Sequence, residues 1–441
     1  MRIPGRSASG LLALSLTVSV AIAASPAYQV IVYMNQLGQP AGVTEGDPQV
    51  FYSISVNPPH TAFSVTPQGV ITSLASFANS DHIQSLLIGG ANGRFYSTVE
   101  PRNGAARLFS VTSAADSKKL YAPLDEVPIL TQSLPDGAFL GIAVKGDIWQ
   151  LIKSGLDGNL TPLHRFPPGE RLANTAIYAA DGSYYGVSVL PDYAGYVYRV
   201  TPSGELTKLL SFPARTFGKF VGDYMAPLLQ ASDGNFYGVT PTGGEHGTGT
   251  IYKLTPGGRS TVLRTFPDNH SSMPTALIEA SDGNLYGATL GVYNAGGHSQ
   301  IFRITKTGQF TLLYAMRDLP SDGGCQCQLT QASDGAIYGT ARVGGKFGGG
   351  AIFKLEAGLA KPAPVLKHFE PQSGAPGTKV LIWGDQLLGA SIRFRGIPAA
   401  NVSQAGSHYI WATVPAGAST GVIEAATPAG TAKTRAAFII R

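Results

Sequence analysis

Polar and aromatic side chains that could bind a ligand are concentrated in several long, Gly-rich segments of this chain. The candidates are Asp192, Tyr193, Tyr224, Glu245, His246, Asp268, His270 and His298. Tyrosine can stack on the apolar face of a sugar ring, while Asp, Glu and His hydrogen-bond sugar hydroxyl groups. The sequence therefore predicts a ligand-binding surface, and a glycan or an extracellular protein is the expected partner.

The same residue types can also support catalysis or metal binding. His246, His270 and His298 could converge as an acid–base or metal group, but no His-x-His motif accompanies them. No Gly-x-Ser-x-Gly motif marks a nucleophilic serine, and no phosphate-binding glycine spacing occurs. The sequence thus predicts no catalytic residue, no metal and no cofactor. A carbohydrate-active lyase or hydrolase, or a lactonase, stays open as the alternative.

Two cysteines stand one residue apart, at Cys325 and Cys327. In an exported chain such thiols are normally oxidised, so the spacing favours a local disulfide that stiffens one loop, although so small a ring is strained. A metal or redox site is the alternative, but no His or further Cys lies near in sequence. A pair this close cannot hold distant parts of the fold together.

Charge and the N-terminus indicate where the protein acts. Arg2 and Arg6 precede an apolar run over 11–23, and small residues at Ala21 and Ala23 suit cleavage, so 1–24 is predicted to be a signal peptide. A retained N-terminal anchor is the alternative. Only 13% of residues are charged, the formal net charge is +5, and Lys and Arg do not cluster. Nucleic acid is therefore excluded as a partner, and no transmembrane segment is expected in the mature chain.

A short cassette positions the candidate residues because it recurs through most of the chain. Its turn anchors lie 44 to 52 residues apart, at Asp47, Asn92, Asp136, Asp181, Asp233, Asp282 and Asp334. That period is typical of a four-stranded propeller blade, which predicts a seven-bladed β-propeller over 25–356. Asp-Gly between apolar runs predicts two-residue type I′ turns, in which both central residues have positive φ. Calcium ligation by these aspartates is the weaker interpretation.

Strand counting leaves the last predicted blade one strand short. Only six segments end in the aromatic or Met residue typical of a fourth strand, whereas Tyr28–Met34 is an extra strand before the first anchor. We expect this N-terminal strand to complete the last blade and close the ring, which removes an open sheet edge. An unrelated edge strand of the first blade is the alternative.

Strand direction decides which face carries the candidate residues. Because neighbouring strands alternate in direction, the Asp-Gly turns lie on one face of the propeller and the long connections lie on the other. The candidates from Asp192 to His298 belong to the long connections. Binding sites favour long loops on a rigid scaffold, so this loop face is the predicted ligand-binding face.

The repeat pattern stops after Leu355, and residues 357–363 are rich in Ala, Pro and Gly, which predicts a linker. Alternating strands separated by Gly turns follow over 364–441, which is the size of a small β-sandwich. This segment resembles an IPT/TIG domain, which implies an immunoglobulin-like fold. The resemblance rests on Phe369, Pro371, Ser373, Gly374, Gly377, Thr378, Gly384, Phe394, Arg395, Gly396, Val414, Pro415, Gly421, Thr427, Pro428, Gly430 and Phe438.

Cassettes of the form DGNxYGxT, IFKLTPxG and TxLxxF resemble the GloVer (Gloeo/Verruco) tandem repeat of exported bacterial proteins. The last four predicted blades match well, whereas the first three depart from the pattern. The resemblance implies a propeller in the periplasm, at the cell surface or outside a bacterium, and it brings no catalytic residues. Together these features predict an all-β chain, with a seven-bladed propeller followed by an immunoglobulin-like sandwich. They favour a secreted or cell-surface binding protein over an enzyme.

Overall fold

The computed structural model describes residues 26–441 except 36, 103, 125, 174–175, 215, 217–227, 268–272, 291–297, 318–320, 323 and 325–327. The described residues form β-strands and no helix, so the predicted all-β class is confirmed. No helix in this part of the chain could cross a membrane. The predicted signal peptide, Tyr224, Asp268, His270, Cys325 and Cys327 lie outside the described residues.

Seven antiparallel sheets account for the described chain up to Glu356, and an inner strand is split into two segments in two of them. The seventh contains β1 (Ala27–Tyr33). The first contains β2 (Thr44–Asp47), β3 (Val50–Ile54), β4 (Thr61–Val65) and β5 (Ile71–Ser76). The second contains β6 (His82–Ile83), β7 (Ile88–Gly89), β8 (Phe95–Glu100), β9 (Ala106–Val111) and β10 (Lys118–Leu124). The third contains β11 (Val127–Ser133), β12 (Phe139–Lys145), β13 (Ile148–Ser154) and β14 (Leu160–Arg165).

The remaining sheets repeat this order. The fourth contains β15 (Arg171–Leu172), β16 (Ile177–Tyr178), β17 (Tyr184–Val189), β18 (Gly195–Val200) and β19 (Leu206–Phe212). The fifth contains β20 (Leu229–Gln230), β21 (Phe236–Thr240), β22 (Thr250–Leu254) and β23 (Ser260–Thr265). The sixth contains β24 (Met273–Glu279), β25 (Leu285–Leu290), β26 (Gln300–Ile304) and β27 (Phe310–Ala315). The seventh is completed by β28 (Leu329–Gln331), β29 (Ile337–Ala341) and β30 (Ala351–Glu356), beside which β1 lies.

Aromatic pairs pack each sheet against a neighbour. Tyr52 of the first sheet stacks on Phe95 of the second, with 4.1 Å between the ring centroids. Tyr185 of the fourth sheet packs on Phe236 of the fifth, with 4.2 Å between the ring centroids. The last sheet contacts the first in the same way, because Tyr338 lies 4.1 Å from Phe51. The described apolar side chains are thus buried in several clusters between neighbouring sheets rather than in one central core.

The Asp-Gly turns differ from the prediction. In the fifth sheet Gly234 has φ +78°, but Asp233 is not among the residues with positive φ. The N–H of Gly234 donates to the carbonyl of Ala231 at 2.9 Å, and Ala231 pairs with Asn235 at 2.9 Å. This is a three-residue loop with a type I turn followed by a left-handed glycine, so the type I′ prediction was wrong. The Asp233 carboxylate stabilises the type I turn by accepting the N–H of Asn235 at 3.1 Å.

The C-terminal strands form two further sheets around a core of their own. One contains β31 (Val365–Glu370), β33 (Lys379–Asp385), β37 (Tyr409–Thr413) and β36 (Asn401–Ala405). The other contains β32 (Ser373–Gly374), β39 (Gly430–Ile440), β38 (Gly421–Thr427), β34 (Ser391–Phe394) and β35 (Ile397–Pro398). Their shared core includes Phe369, Ile382, Phe394, Ile410 and Phe438.

The sheet that contains β33 and β37 docks on the Asp-Gly turns. The Tyr409 hydroxyl donates to the carbonyl of Leu134 at 2.5 Å, and the Trp411 indole N–H donates to the carbonyl of Ala91 at 2.8 Å. Leu381 and Trp383 join an apolar cluster with Ala91. The turn face is therefore partly covered, while the long connections lie on the opposite face.

Candidate functional site

Two loops on the loop face share one backbone conformation. The four glycines of the first, Gly243, Gly244, Gly247 and Gly249, have positive φ, and so do Gly344, Gly345, Gly348 and Gly350 of the second. In each loop a parallel bridge joins the two arms, between Gly243 and Thr248 and between Gly344 and Gly349. Positive φ is open to glycine at little steric cost, so glycine at these positions sets the loop shape. The side chains at the apex of each loop are therefore not what sets its shape.

The apex of each loop presents two exposed side chains. They are Glu245 and His246 in the fifth sheet and Lys346 and Phe347 in the seventh. Phe347 is 55% exposed, which is unusual for so large an apolar side chain, and its ring meets Tyr33 edge-on at 6.5 Å. The same loop backbone thus presents two different pairs of apical side chains. One pair is a carboxylate with an imidazole, and the other is an ammonium group with an aromatic ring.

A groove of about 590 Å³ lies beside the first of these loops, between the fourth and fifth sheets. Leu210 and Phe212 of β19 form one wall, and Tyr252 and Val262 of the fifth sheet form the other. The groove leaves Val262 60% exposed. No charged side chain is among the described residues that line it.

Threonines supply most of the polar atoms of this groove. They are Thr216, Thr240, Thr242, Thr250, Thr261 and Thr265. Thr242 donates its hydroxyl to the carbonyl of Thr216 at 2.6 Å, and Thr216 donates to the carbonyl of Pro213 at 2.7 Å. A hydroxyl that donates its proton keeps acceptor lone pairs, so these oxygens are held in place as acceptors. The arrangement can receive donor groups such as sugar hydroxyls.

The structure explains Asp192 and Tyr193 by turn geometry. Asp192 accepts the N–H of Ala194 at 3.0 Å, and Tyr193 has φ +62° where the other turns have glycine. The N–H of Tyr193 donates to the carbonyl of Leu190 at 2.9 Å. Asp192 is exposed, so it serves the turn and is also accessible from solvent.

The remaining described candidates, Glu245, His246 and His298, do not belong to a cluster that could hold a metal ion. Glu245 and His246 are both exposed, and no hydrogen bond or ion pair within the described chain joins them. His298 is exposed at the end of another loop. Across the described residues, no three His, Cys, Asp or Glu side chains come close enough to hold a metal ion.

The repeated aspartates are fixed by contacts within their own sheets. Asp233 accepts the Tyr237 hydroxyl at 2.8 Å and the Lys253 ammonium at 3.1 Å. Burial alone would raise the pKa of Asp233, but hydrogen bonds from Asn235, Tyr237 and Lys253 outweigh it and lower that pKa. The same Asp–Tyr pair occurs at Asp181, Asp282 and Asp334. These carboxylates therefore hold the turn and the second and third strands together.

Sequence reasoning missed Phe347 and the threonine groove. The sequence did contain a signal for the first, because GGEHGTG and GGKFGGG share the glycine positions that give both loops one shape. No local pattern indicated the groove, because its two walls, at Leu210 and Val262, belong to different sheets.

Residues 172–391 match the family of the Gloeobacter/Verrucomicrobia repeat. The match begins in the fourth sheet and confirms the resemblance of the cassettes for this part of the chain. Comparison with curated proteins found no match.

Solved structures show the fold class. A streptogramin B lyase is similar over 75% of this chain and 97% of its own, at 17% identity and a TM-score of 0.56. The BP39L lectin from Burkholderia pseudomallei is similar over 70% and 96%, at 12% identity and a TM-score of 0.50. The WD40 propeller domain of Doa1 is similar over 74% of this chain and 96% of its own, at 14% identity and a TM-score of 0.49. The streptogramin B lyase and the BP39L lectin support a β-propeller fold, and at such identities the likeness extends to the fold alone.

Proposed function

We propose that this chain is an exported, non-catalytic binding protein whose propeller presents its loop face to a glycan or to an extracellular protein. The observation that carries the proposal is the pair of glycine-framed loops at 243–249 and 344–350 with exposed, dissimilar apical side chains. A rigid frame lowers the entropy lost on binding, and variable apical residues give specificity.

The proposed scaffold is a ring of seven blades closed by the N-terminal strand. Two observations support it. Tyr28 of β1 pairs with Leu355 of β30, and Tyr338 packs on Phe51 as Tyr52 packs on Phe95. Closure gives the last sheet its fourth strand and leaves only the short, protected edges typical of propellers, which suits a protein that must stay folded outside the cell.

The segment 364–441 is proposed to be an IPT/TIG domain. Its two sheets and their shared core around Ile382 and Phe438 suit an immunoglobulin-like sandwich. The docking of Tyr409 and Trp411 on the turn face leaves the loop face open to a ligand.

The threonine groove favours an uncharged glycan over a charged ligand. Its walls combine the apolar surfaces of Leu210 and Val262 with fixed hydroxyl acceptors such as Thr242. A sugar can pack the apolar face of its ring on the apolar walls and donate its hydroxyl groups to the threonine acceptors.

A glycan array probed with the mature protein tests the proposal. We expect binding to a subset of neutral glycans. Val262→Arg should abolish it, because the substitution places a charge in the groove. Leu312→Arg is the matched control, since Leu312 faces Phe302 in the sixth sheet as Val262 faces Tyr252 in the fifth, and it lies outside the groove.

The array also separates the loops from the groove. His246→Ala and Phe347→Ala should change glycan or protein selectivity while the protein stays folded, because both side chains are exposed. Product release from any bound glycan, abolished by His246→Ala, would overturn the non-catalytic proposal in favour of an enzyme. Recovery of an intact N-terminus from the bacterial cytoplasm would overturn export.

A further inference from the structure

A second crevice, of about 370 Å³, opens on the C-terminal sheet that contains β33, β37 and β36. Lys379, Asn401, Ser403, Trp411 and Thr413 line it. Its residues are distant in sequence from those of the loop face. The crevice lies beside the contact between the C-terminal sheet and the turn face, because Trp411 lines the crevice and also bonds Ala91.

Strand register places these side chains on one face of the sheet. Thr413 pairs with Lys379 on one side and with Asn401 on the other, and Trp411 pairs with Ser403. Directly opposite residues of antiparallel strands project from the same face, about 5 Å apart. An ammonium group, an amide and hydroxyls are thereby gathered around one indole ring.

Trp411 is held as a platform. Its indole N–H donates to the carbonyl of Ala91 at 2.8 Å, yet 37% of the residue remains exposed. A hydrogen bond at one edge fixes the orientation of the ring and leaves a face available for stacking.

Three polar side chains of the crevice have no hydrogen-bond or ion-pair partner within the described protein. Within the described chain, no ion pair holds Lys379, and no hydrogen bond holds the side chain of Asn401 or Ser403. By contrast, Lys367 on the adjacent strand β31 is paired with Asp385 at 2.5 Å. The cation of Lys379 is therefore available to a ligand.

We propose that this crevice binds an acidic sugar, a pyranose ring that carries a carboxylate. The ring stacks on Trp411, the carboxylate pairs with Lys379, and Asn401, Ser403 and Thr413 hydrogen-bond the ring hydroxyls. A crevice of this volume is within the range of small-ligand sites and can hold one sugar ring. The site is separate from the threonine groove, whose described lining residues include no charged side chain.

Titration calorimetry on the full mature chain, with methyl glucuronide and methyl glucoside as paired probes, tests this site. The two sugars differ by the carboxylate. We expect the glucuronide to bind about tenfold more tightly than the glucoside, which corresponds to one good ion pair. Lys379→Gln should remove that preference and Lys379→Arg should retain it.

Variants at Trp411 separate stacking from docking. Trp411→Phe loses the bond to Ala91 but keeps a ring, so it should weaken binding only a few-fold, whereas Trp411→Ala should abolish it. Val262→Arg, which tests the other groove, should leave glucuronide binding unchanged. Equal binding of the two sugars, or full glucuronide affinity in Lys379→Gln, would overturn the proposal. Binding of an extended peptide along the edge strand β36 in preference to either sugar would do the same.

Discussion

Ser333 donates both its N–H and its hydroxyl to the carboxylate of Glu45, at 2.7 and 2.6 Å, although 288 residues separate the two. Ser232 donates in the same way to Glu279 of the following sheet, at 2.7 and 2.6 Å. The contact that joins neighbouring sheets along the chain therefore also joins the last sheet to the first.

Replacement of Glu45 by Ala should destabilise the protein. The carboxylate also accepts the N–H of Gln49 at 2.9 Å and is 6% exposed, so three donors lose their acceptor. Buried donors left without a charged acceptor cost about 1–3 kcal/mol of the free energy of unfolding. Denaturant unfolding measures the change. Glu356→Ala, which removes the exposed partner of an ion pair, is the control and should change the free energy of unfolding by less than about 1 kcal/mol. An equal loss of that free energy in the two variants would contradict the role assigned to Glu45.

The turn conformation makes a second prediction, at Gly234. Its φ is +78°, and an added Cβ would meet no atom within 4 Å, so the cost of Gly234→Ala is conformational rather than steric. The left-handed region costs a residue with a Cβ about 1–2 kcal/mol, and the melting temperature should fall accordingly. Gly257→Ala is the control because Gly257 lacks positive φ and an added Cβ would make only an ordinary contact, at 3.9 Å from Thr255 Oγ1. An unchanged melting temperature for Gly234→Ala would rule out the left-handed turn.

The sheets could be predicted from the sequence because each is coded locally. The Asp-Gly cassette and the strand after it lie within one sheet, so their period shows the repeat, and Tyr28–Met34 stands out as a strand outside that period. The turn type was mistaken because the Asp-Gly pair alone does not show that the Asp233 carboxylate accepts the N–H of Asn235. That bond stabilises a type I turn in which only the glycine needs positive φ.

Alkaline pH should weaken the fold through its buried tyrosines. Burial and the nearby Asp282 raise the pKa of Tyr286 to about 12. In the unfolded chain a tyrosine loses its proton near pH 10, so the unfolded state binds fewer protons than the folded state above that pH. The free energy of unfolding should therefore be constant below about pH 9 with respect to this group and fall as the pH rises from about 10 to 12.

Tyr286→Phe is the variant that isolates this contribution. It removes the titrating hydroxyl and the 3.0 Å bond to Asp282, so stability should be lower at neutral pH and decline less steeply above pH 10. Denaturant unfolding at several pH values, with tyrosinate absorbance of the native protein, measures both effects. An identical slope in the two proteins would show that Tyr286 does not titrate abnormally.

The candidate site was harder to predict than the fold because it depends on neighbours distant in sequence. Glu245 and His246 were found because they stand out in a polar loop. The threonine groove needs Leu210 of one sheet and Val262 of the next, and the acidic-sugar crevice needs the register of three strands that fixes Trp411 beside Ser403. Neither arrangement leaves a local pattern in the sequence.

The C-terminal sheets should behave as a docked unit rather than a mobile one. The linker is itself fixed, because Ser281 and Gln331 both donate to the carbonyl of Ala360, at 2.7 and 3.2 Å. Leu381 is 5% exposed within the docking cluster, so Leu381→Asp would bury a charge beside Ala91 and disfavour docking by several kcal/mol.

Small-angle scattering measures that change. Leu381→Asp should increase the radius of gyration while circular dichroism shows that the strands persist, because Leu381 lies on the docking face and outside the core formed by Ile382 and Phe438. Ala437→Asp is the control: it adds the same charge at an exposed position of the other C-terminal sheet and should leave the scattering curve unchanged. An unchanged radius of gyration in Leu381→Asp would mean that the linker contacts at Ala360 suffice to hold the C-terminal sheets in place. It would contradict the claim that the Leu381 cluster is needed for docking.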